Sequence, residues 1–281
     1  MTISRRAPEK VTTGHRVRSD VPFVVGLCVL SSVYIVLIAG MLLADLSFTT
    51  PANFLAALRS EEIRYAIRLS LISCSITALL SLWIAVPIGY LMSRYPFRGK
   101  AILDAMLDIP SVLPPLVIGL SLLILFRTRA GQFIERFVPM TYAVPGIILA
   151  QWMVACAFAV RTMRTTFDQI SPRQEQVALT LGCSQSQAFW QIVLPQARRG
   201  ILAAGTLAWA RAMGEFGPIL IFSGATRMRT EVMPTSVFLE LSVGNIEAAV
   251  AVSLLMVIAA VLVLLLVRLF GCTAALETNR I

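Results

Sequence analysis

Long runs of apolar residues make up most of the chain, and shorter polar intervals separate them. The runs cover residues 22–44, 66–92, 101–126, 142–160, 201–223 and 246–269. A helix needs about 20 residues to cross a hydrocarbon core of about 30 Å, and these runs are close to that length or exceed it. They are continuous rather than alternating, so helices rather than strands are expected to supply the backbone hydrogen bonds. The pattern predicts an all-α polytopic membrane protein with six transmembrane helices.

Composition and charge support this prediction and add an orientation. Hydrophobic residues make up 57% of the 281 positions and charged residues 14%, which excludes a soluble globular domain of this length. With six spans, the segments on the side of the two termini hold fifteen Lys and Arg residues, and those on the other side hold seven. Because basic residues are retained on the cytoplasmic side of a membrane, both termini are predicted to be cytoplasmic.

The chain divides into one long helical domain and shorter flanking segments. Residues 1–21 form a basic tail, 22–59 the first transmembrane helix and an external loop, 60–270 the main membrane domain, and 271–281 a cytoplasmic C-terminal tail. The basic tail lacks interleaved aromatic residues and adjoins a span, so membrane lipid rather than nucleic acid is its expected partner. The five cysteines are scattered, and neither a metal site nor a disulfide is expected from them.

The third and fifth apolar runs contain residues that a membrane helix rarely tolerates. Pro110, Pro114 and Pro115 fall within six positions of the third run, and each removes a backbone donor. Unpaired carbonyls at membrane depth need protein or water beside them, so this segment is predicted to line a pore, or else to form a kink used for packing. Arg211 and Glu215 in the fifth run are four residues apart, so they share one helix face and can neutralise each other. That pair either serves a translocation pathway or fixes the register of the helix.

Residues 162–195 form a polar interval that is too long for a simple connection between spans. Ser171 followed by Pro172 predicts a helix start, and Gly182 permits a bend. Pro195 is expected to end the segment near the membrane. An apolar face at helical spacing comprises Ala188, Phe189, Ile192 and Val193. The interval is therefore predicted to dock on another molecule, with a surface helix lying on its own bundle as the alternative.

Several motifs resemble those of a known family. Gln176-Val177-Ala178, three residues, Gly182, nine residues and Ile192-Val193-Leu194-Pro195 resemble the EAA motif (E-A-A-x3-G-x9-I-x-L-P) of ABC importer permeases. With the Pro-Pro segment before it and R-A-M-G-E-F-G after it, residues 60–270 resemble the molybdate/sulfate/tungstate branch of that family. The family's Glu aligns with Gln176, Glu175 stands one place earlier, and Val177 replaces the first Ala.

The resemblance implies a type I permease that forms a homodimer around a central pore in a bacterial or archaeal plasma membrane. In this family the EAA loop, between helices four and five, docks on a separate ATPase subunit, and an extracytoplasmic oxyanion-binding protein delivers the substrate. The chain has no G-x4-G-K-[ST] loop, so the partner subunit is expected to hydrolyse ATP, and no cofactor is expected here. The implied ATPase-coupling residues are Glu175, Gln176, Ala178, Gly182, Ile192, Leu194 and Pro195. The implied translocation-pathway residues are Pro110, Pro114, Pro115, Gly119, Arg211 and Glu215.

The resemblance also favours one substrate, molybdate. The G-E-F-G sequence resembles molybdate permeases, whereas the sulfate branch more often has Tyr at the position of Phe216; sulfate and tungstate are the alternatives. A membrane-embedded enzyme would need a nucleophile, base or metal constellation near the membrane surface. The only histidine is His15 in the tail. Asp104 and Asp108 share a helix face, but they can hold a neighbouring Arg as well as a catalytic group or metal. A secondary transporter working without ATP would leave the polar interval unexplained.

Overall fold

The computed structural model describes residues 21–278, without the side chains of Val21, Pro22, Asn53 and residues 266–278. Apart from residue 21, the predicted basic tail lies outside the described residues. The chain divides between Ser47 and Phe48 into two compact units. The described part of the first unit lies in helix α1 (Val21–Phe48), which is apolar on all sides and long enough to cross a membrane.

The second unit is a bundle of helices joined by short turns. Its helices are α2 (Pro51–Arg59), α3 (Glu61–Arg94), α4 (Lys100–Val112), α5 (Pro115–Arg127), α6 (Arg129–Glu135), α7 (Val144–Gln169), α8 (Pro172–Thr180), α9 (Gln185–Ala188), α10 (Leu194–Met213), α11 (Gly217–Phe222), α12 (Met233–Ser242) and α13 (Ile246–Thr278). A π-helical turn, Phe189–Val193, joins α9 to α10. Within residues 21–278 the chain forms helices and no strands, which confirms the all-α prediction. Helix α13 extends beyond the predicted start of the C-terminal tail at residue 271.

The structure supports fewer continuous spans than the sequence predicted. Within the described chain, four helices are long and apolar enough to cross a membrane: α1, α3, α7 and α13. Helices α4 and α5 are bent by 111° at their junction and would form a fifth span as a pair. The predicted span 201–223 is divided, because α10 ends at Met213 and α11 begins only at Gly217. The six-span count therefore stays a prediction.

Helices α3, α7 and α10 pack together as the centre of the bundle. Small residues such as Ala85, Ala159 and Ala204 are fully buried there and let the helix backbones approach closely. At Gly89, a Cβ atom would lie only 2.8 Å from the Cβ of Met163, so α3 and α7 have no room for a side chain at that point. A second apolar cluster joins α5, α7 and α11.

The bundle has two ends, the α8 end and the α12 end, each called after a helix that lies there. The α8 end comprises residues 94–100 and 170–195, where α3 ends and the predicted docking interval lies. The α12 end comprises residues 59–62 and 223–246, where α3 begins. Because α3 runs the full length between them, it links the two ends.

Candidate functional site

Two interrupted helices meet at their interruptions. One lies at residues 113–114, between α4 and α5, and the other at residues 214–216, between α10 and α11. A Cβ atom built on Gly217 would lie 3.2 Å from the Cβ of Pro115 and 3.2 Å from the backbone nitrogen of Leu116. The beginnings of α5 and α11 are therefore in contact. Irregular backbone at membrane depth is stable where it is covered by protein or faces a water-filled cavity, and substrate sites of membrane transporters are often built this way.

The prolines of the third apolar run explain the first interruption. Leu113 and Pro114 have ψ angles of 140° and 133°, which are extended, and Pro115 is the first residue of α5. The residue before a proline is disfavoured in helical conformation, so a Pro-Pro pair ends α4 and starts α5. Pro110 lies inside α4.

Gly119, the fourth pathway candidate in this region, is buried. Its Cβ position is only 2.9 Å from both Cα and the carbonyl oxygen of Pro218 in α11. Gly119 therefore lies where α5 and α11 are in closest contact. Packing alone accounts for this glycine, and its role in a pathway stays a prediction.

Arg211 and Glu215 form an ion pair beside the second interruption. Nη1 of Arg211 lies 2.7 Å from Oε1 of Glu215. The two side chains differ in burial, since 34% of Arg211 is exposed but only 1% of Glu215. Cζ of Arg211 lies 5.4 Å from the ring centroid of Phe158, within range of a cation–π interaction. The pair predicted from the spacing is present, but it forms across the end of α10 because Glu215 lies beyond Met213.

A buried amide next to this ion pair was missed by the sequence analysis. Nε2 of Gln151 in α7 donates to the carbonyl oxygen of Ala212 at 3.3 Å. Its Oε1 accepts a hydrogen bond of 3.1 Å from the hydroxyl of Thr77 in α3. These bonds connect α3, α7 and the last turn of α10 immediately beside Arg211. A glutamine within the apolar run 142–160 was the available signal.

Two further ion pairs hold α4 against α7. Arg161 Nη2 lies 2.7 Å from Asp108 Oδ1, and Arg164 pairs with Asp104. The expectation that these carboxylates can hold a neighbouring Arg is confirmed. Both Asp104 and Asp108 are thus engaged within the bundle.

The polar interval at the α8 end is shorter than residues 162–195, because α7 continues to Gln169. Ser171 and Pro172 begin α8 as predicted, although the Ser171 side chain makes no capping hydrogen bond in the described chain. Gly182 has a φ of +90°, a left-handed conformation that favours glycine, and it forms the bend. The expectation that Pro195 ends the segment was wrong, since Pro195 lies in the first turn of α10 and the helix continues through it.

The predicted apolar face of this interval is turned inward. Ala188 is fully buried, and Val193 is buried in the main hydrophobic cluster. The ring centroid of Phe189 lies 4.7 Å from that of Tyr90. The alternative, a segment lying on its own bundle, therefore describes this face. Other apolar side chains of the interval are exposed instead: Val177, Leu181 and Trp190. We call these three residues the α8-end surface.

The seven coupling candidates fall into two groups. Glu175 and Ala178 face their own chain: the Glu175 carboxylate accepts a hydrogen bond from Tyr90 and pairs with Arg94, and Ala178 is buried. The remaining candidates are exposed or half-buried: Gln176, Gly182, Ile192, Leu194 and Pro195. Of these, Gln176 and Gly182 are adjacent in sequence to Val177 and Leu181 of the α8-end surface.

A charged network at the α12 end was also missed. Arg227 pairs with Glu62 at the start of α3 and with Glu240 of α12. Nη2 of Arg227 lies 2.9 Å from Oε1 of Glu240. Burial lowers the pKa of Arg227, but the hydrogen bond that Arg227 donates to Glu240 and the charges of the neighbouring carboxylates outweigh this effect, so the pKa is raised. Glu231 nearby is fully buried. Burial raises the pKa of Glu231, and hydrogen bonding with Ser236 and the charge of Arg227 offset this only in part.

Comparisons with known proteins agree with this architecture. The family described as binding-protein-dependent transport system inner membrane component matches residues 85–271, more than half of the chain. A probable molybdenum ABC transporter permease protein of Haloferax volcanii is 34% identical over 223 residues, covering 79% of this chain and 81% of the relative. A sulfate transport system permease protein of Salmonella typhimurium is 29% identical over 226 residues, covering 79% and 82%. A solved bacterial ABC transporter that imports the acidic polysaccharide alginate superposes with a TM-score of 0.72 at 15% identity, covering 89% of this chain and 96% of that one, which shows a common fold.

Proposed function

The chain belongs to the family of binding-protein-dependent transport system inner membrane components, and we propose that it is the permease subunit of an ATP-driven oxyanion importer. The observation that carries this proposal is the α8-end surface. Leu181 and Trp190 are 79% and 63% exposed, and the same segment also exposes polar residues such as Gln176. Exposed aromatic and aliphatic side chains on a polar segment are typical of a protein interface, where Trp is among the residues that contribute most.

The partner proposed for this surface is a separate ATPase subunit. The segment carries the EAA-like sequence, and Gln176 and Gly182 of that sequence lie exposed beside Val177 and Leu181. A closing movement of the ATPase subunits would push α8 and the π-helical turn together in two copies of the chain. The bundle would then respond through α7 and α10, which the same segment joins.

The proposed pathway runs past the two interruptions. The exposed part of Arg211 supplies a positive charge there, and its partner Glu215 is buried behind it. Sulfate and molybdate are tetrahedral dianions, which a guanidinium binds through paired hydrogen bonds. Arg211 is therefore the residue proposed to attract the anion, while a binding protein outside the membrane supplies most of the selectivity.

Molybdate is the proposed substrate, and sulfate and tungstate are the alternatives. The Haloferax relative is named for molybdenum and the Salmonella relative for sulfate. Phe216 lies at the second interruption, and its ring packs 5.4 Å from that of Phe238 in α12. The preference for molybdate rests on Phe at this position, where sulfate permeases more often carry Tyr.

A homodimer in the plasma membrane, with both termini and the α8 end in the cytoplasm, completes the proposal. The orientation rests on the excess of basic residues on the side of the termini. Thr180 is exposed at the end of α8, so a Thr180→Cys variant reports the side of this end. A membrane-impermeant maleimide should label it in inverted vesicles only. Labelling in intact cells would reverse the orientation and remove the docking role.

Co-purification tests the docking directly. The tagged chain should retain its ATPase subunit in detergent, and Trp190→Ala should weaken that association by about 2 kcal/mol, as expected for a buried interface tryptophan. Trp83 of α3 is 74% exposed within a membrane span and provides a matched control, because Trp83→Ala removes an equally accessible indole from another surface. If both variants retain the ATPase like the unmodified chain, the α8-end surface is not the docking site.

A further inference from the structure

Three helix ends meet at one guanidinium at the α8 end. Arg94 lies in the last turn of α3, and its Nη2 donates to the carbonyl oxygen of Ile170, the C-cap residue of α7, at 2.9 Å. Its Nε lies 3.2 Å from Oε2 of Glu175 in the first turn of α8. Arg94 and Glu175 together therefore fix the start of α8 to the ends of α3 and α7.

An aromatic cluster reinforces the same junction. Tyr90, one turn before Arg94, donates its hydroxyl to the Glu175 carboxylate. The Tyr90 ring packs edge to face against the rings of Phe167 in α7 and Phe189 in the π-helical turn. The distances between ring centroids are 5.6 Å and 4.7 Å. The carboxylate of Glu175 thus receives both the hydroxyl and the guanidinium of α3. We call Tyr90, Arg94, Phe167, Glu175 and Phe189 the α3 junction.

The charges of this junction are shielded from water. Only 9% of the Arg94 side chain and 12% of the Glu175 side chain are exposed. An ion pair at a fully exposed site contributes little, because solvent screens it and mobile side chains must be ordered. Removing one member of a shielded pair leaves the other without compensation, so the junction depends on both.

We infer that Glu175 is a positioning residue that makes α8 move as one body with α3 and α7, rather than a residue that contacts the ATPase. Its carboxylate is engaged by Tyr90 and Arg94 of its own chain, whereas the adjacent Gln176 is exposed. Helices α3 and α7 pack against α10, whose last turn carries Arg211. A displacement of the α8-end surface is therefore transmitted through the junction to the helices that surround the proposed pathway. This inference rests on the proposed function.

The first test needs no partner protein. In the purified full-length chain in detergent, Glu175→Gln should speed hydrogen–deuterium exchange of the backbone amides in α8 by about three- to thirtyfold, which corresponds to the usual size of a coupling between packed elements. Glu61 is exposed at the opposite end of α3, and Glu61→Gln, the same chemical change, should leave that exchange unaltered. Unchanged exchange in Glu175→Gln overturns the inference.

The second test measures coupling in the complex with the ATPase. Radiolabelled molybdate and sulfate are offered to proteoliposomes, and the number of anions moved per ATP hydrolysed is determined. Glu175→Gln should keep the ATPase bound but lower this ratio by about three- to thirtyfold. Loss of ATPase binding in Glu175→Gln would instead show a direct contact and overturn the inference.

The double variant Arg94→Gln, Glu175→Gln separates positioning from simple stability. It leaves no uncompensated charge, so its unfolding midpoint should recover towards that of the unmodified chain, while the transport ratio stays low. Recovery of the ratio together with the midpoint would show a structural role only and contradict the inference. If the unmodified chain binds no ATPase and moves neither anion, the proposed function fails, while the exchange test still decides whether the junction holds α8.

Discussion

The unequal burial of Arg211 and Glu215 predicts that the two charges are not interchangeable. Arg211→Gln removes the guanidinium whose Nη1 lies 2.7 Å from Oε1 of Glu215. The Glu215 side chain is only 1% exposed, so its carboxylate is left buried without a partner. Breaking a buried ion pair in this way costs about 3–5 kcal/mol. Glu215→Gln leaves a guanidinium that is one-third exposed and can be hydrated, so its cost should be about 1 kcal/mol, as for pairs near the surface. Arg211→Gln should therefore be the more destabilising change by at least about 2 kcal/mol.

Denaturant unfolding of the purified chain in mixed micelles, followed by circular dichroism, measures these differences. The double variant should be more stable than Arg211→Gln alone, because it carries no uncompensated charge. Arg211→Lys is the matched control, since it keeps the positive charge but loses the planar guanidinium. Equal losses of stability in the two single variants, or a larger loss in Glu215→Gln, would refute this account of the pair.

Uptake measured on the same variants separates a pathway role from a structural one. Arg211→Gln should reduce anion uptake while the ATPase stays bound, and Glu215→Gln should reduce it less because the cation remains. The double variant should recover stability without recovering uptake. If it restores both, Arg211 serves the packing of the bundle and not the anion.

Substitutions at three further positions give distinct outcomes. Gly182→Ala should cost about 1 kcal/mol of folding stability through its positive φ. Gly182→Asp should in addition release the ATPase, because no atom of the described chain beyond the adjacent residues lies within 4 Å of the Cβ position and only a partner can clash there. Equal ATPase binding in both variants would contradict this. Gly119→Ala should lower the unfolding free energy by about 1–3 kcal/mol, because the backbone of Pro218 blocks its Cβ; an unchanged value would show that α5 and α11 are not in contact. The raised pKa of Glu231 means that the folded protein binds its proton more tightly than the unfolded chain does, so the contribution of Glu231 to stability should fall as pH rises above the ordinary Glu pKa of about 4.3. The unfolding midpoint of Glu231→Gln should therefore exceed that of the unmodified chain by more as pH rises. Parallel pH profiles of the two midpoints would refute this.

The strongest sequence signals concerned where helices lie and where one is broken. The apolar runs 66–92 and 246–269 fall within α3 and α13, because length and hydropathy are local properties of the chain. Pro114 and Pro115 marked the interruption between α4 and α5, since proline acts on the residues next to it. The second interruption, at residues 214–216, was not predicted. Gly214 lies there between apolar segments, and a glycine alone does not break a membrane helix.

The direction in which side chains point was harder to predict than the helices themselves. Periodicity placed Ala188 and Val193 on one apolar face, but an apolar face fits equally against its own bundle or a partner. Glu175 looked available for docking because Arg94 and Tyr90, which engage it, lie in a different helix far away in the sequence. Contacts of this kind depend on how the helices pack, and a single sequence without its tertiary structure does not reveal them.

Reconstituted transport tests the central claim most directly. Proteoliposomes containing the chain, its ATPase subunit and the extracytoplasmic binding protein should take up radiolabelled molybdate only when ATP is supplied to the ATPase. Unlabelled molybdate should suppress this uptake at lower concentration than sulfate does. Uptake that proceeds without ATP, or ATP hydrolysis with no movement of molybdate, sulfate or tungstate, would contradict the assignment as the permease subunit of an ATP-driven oxyanion importer.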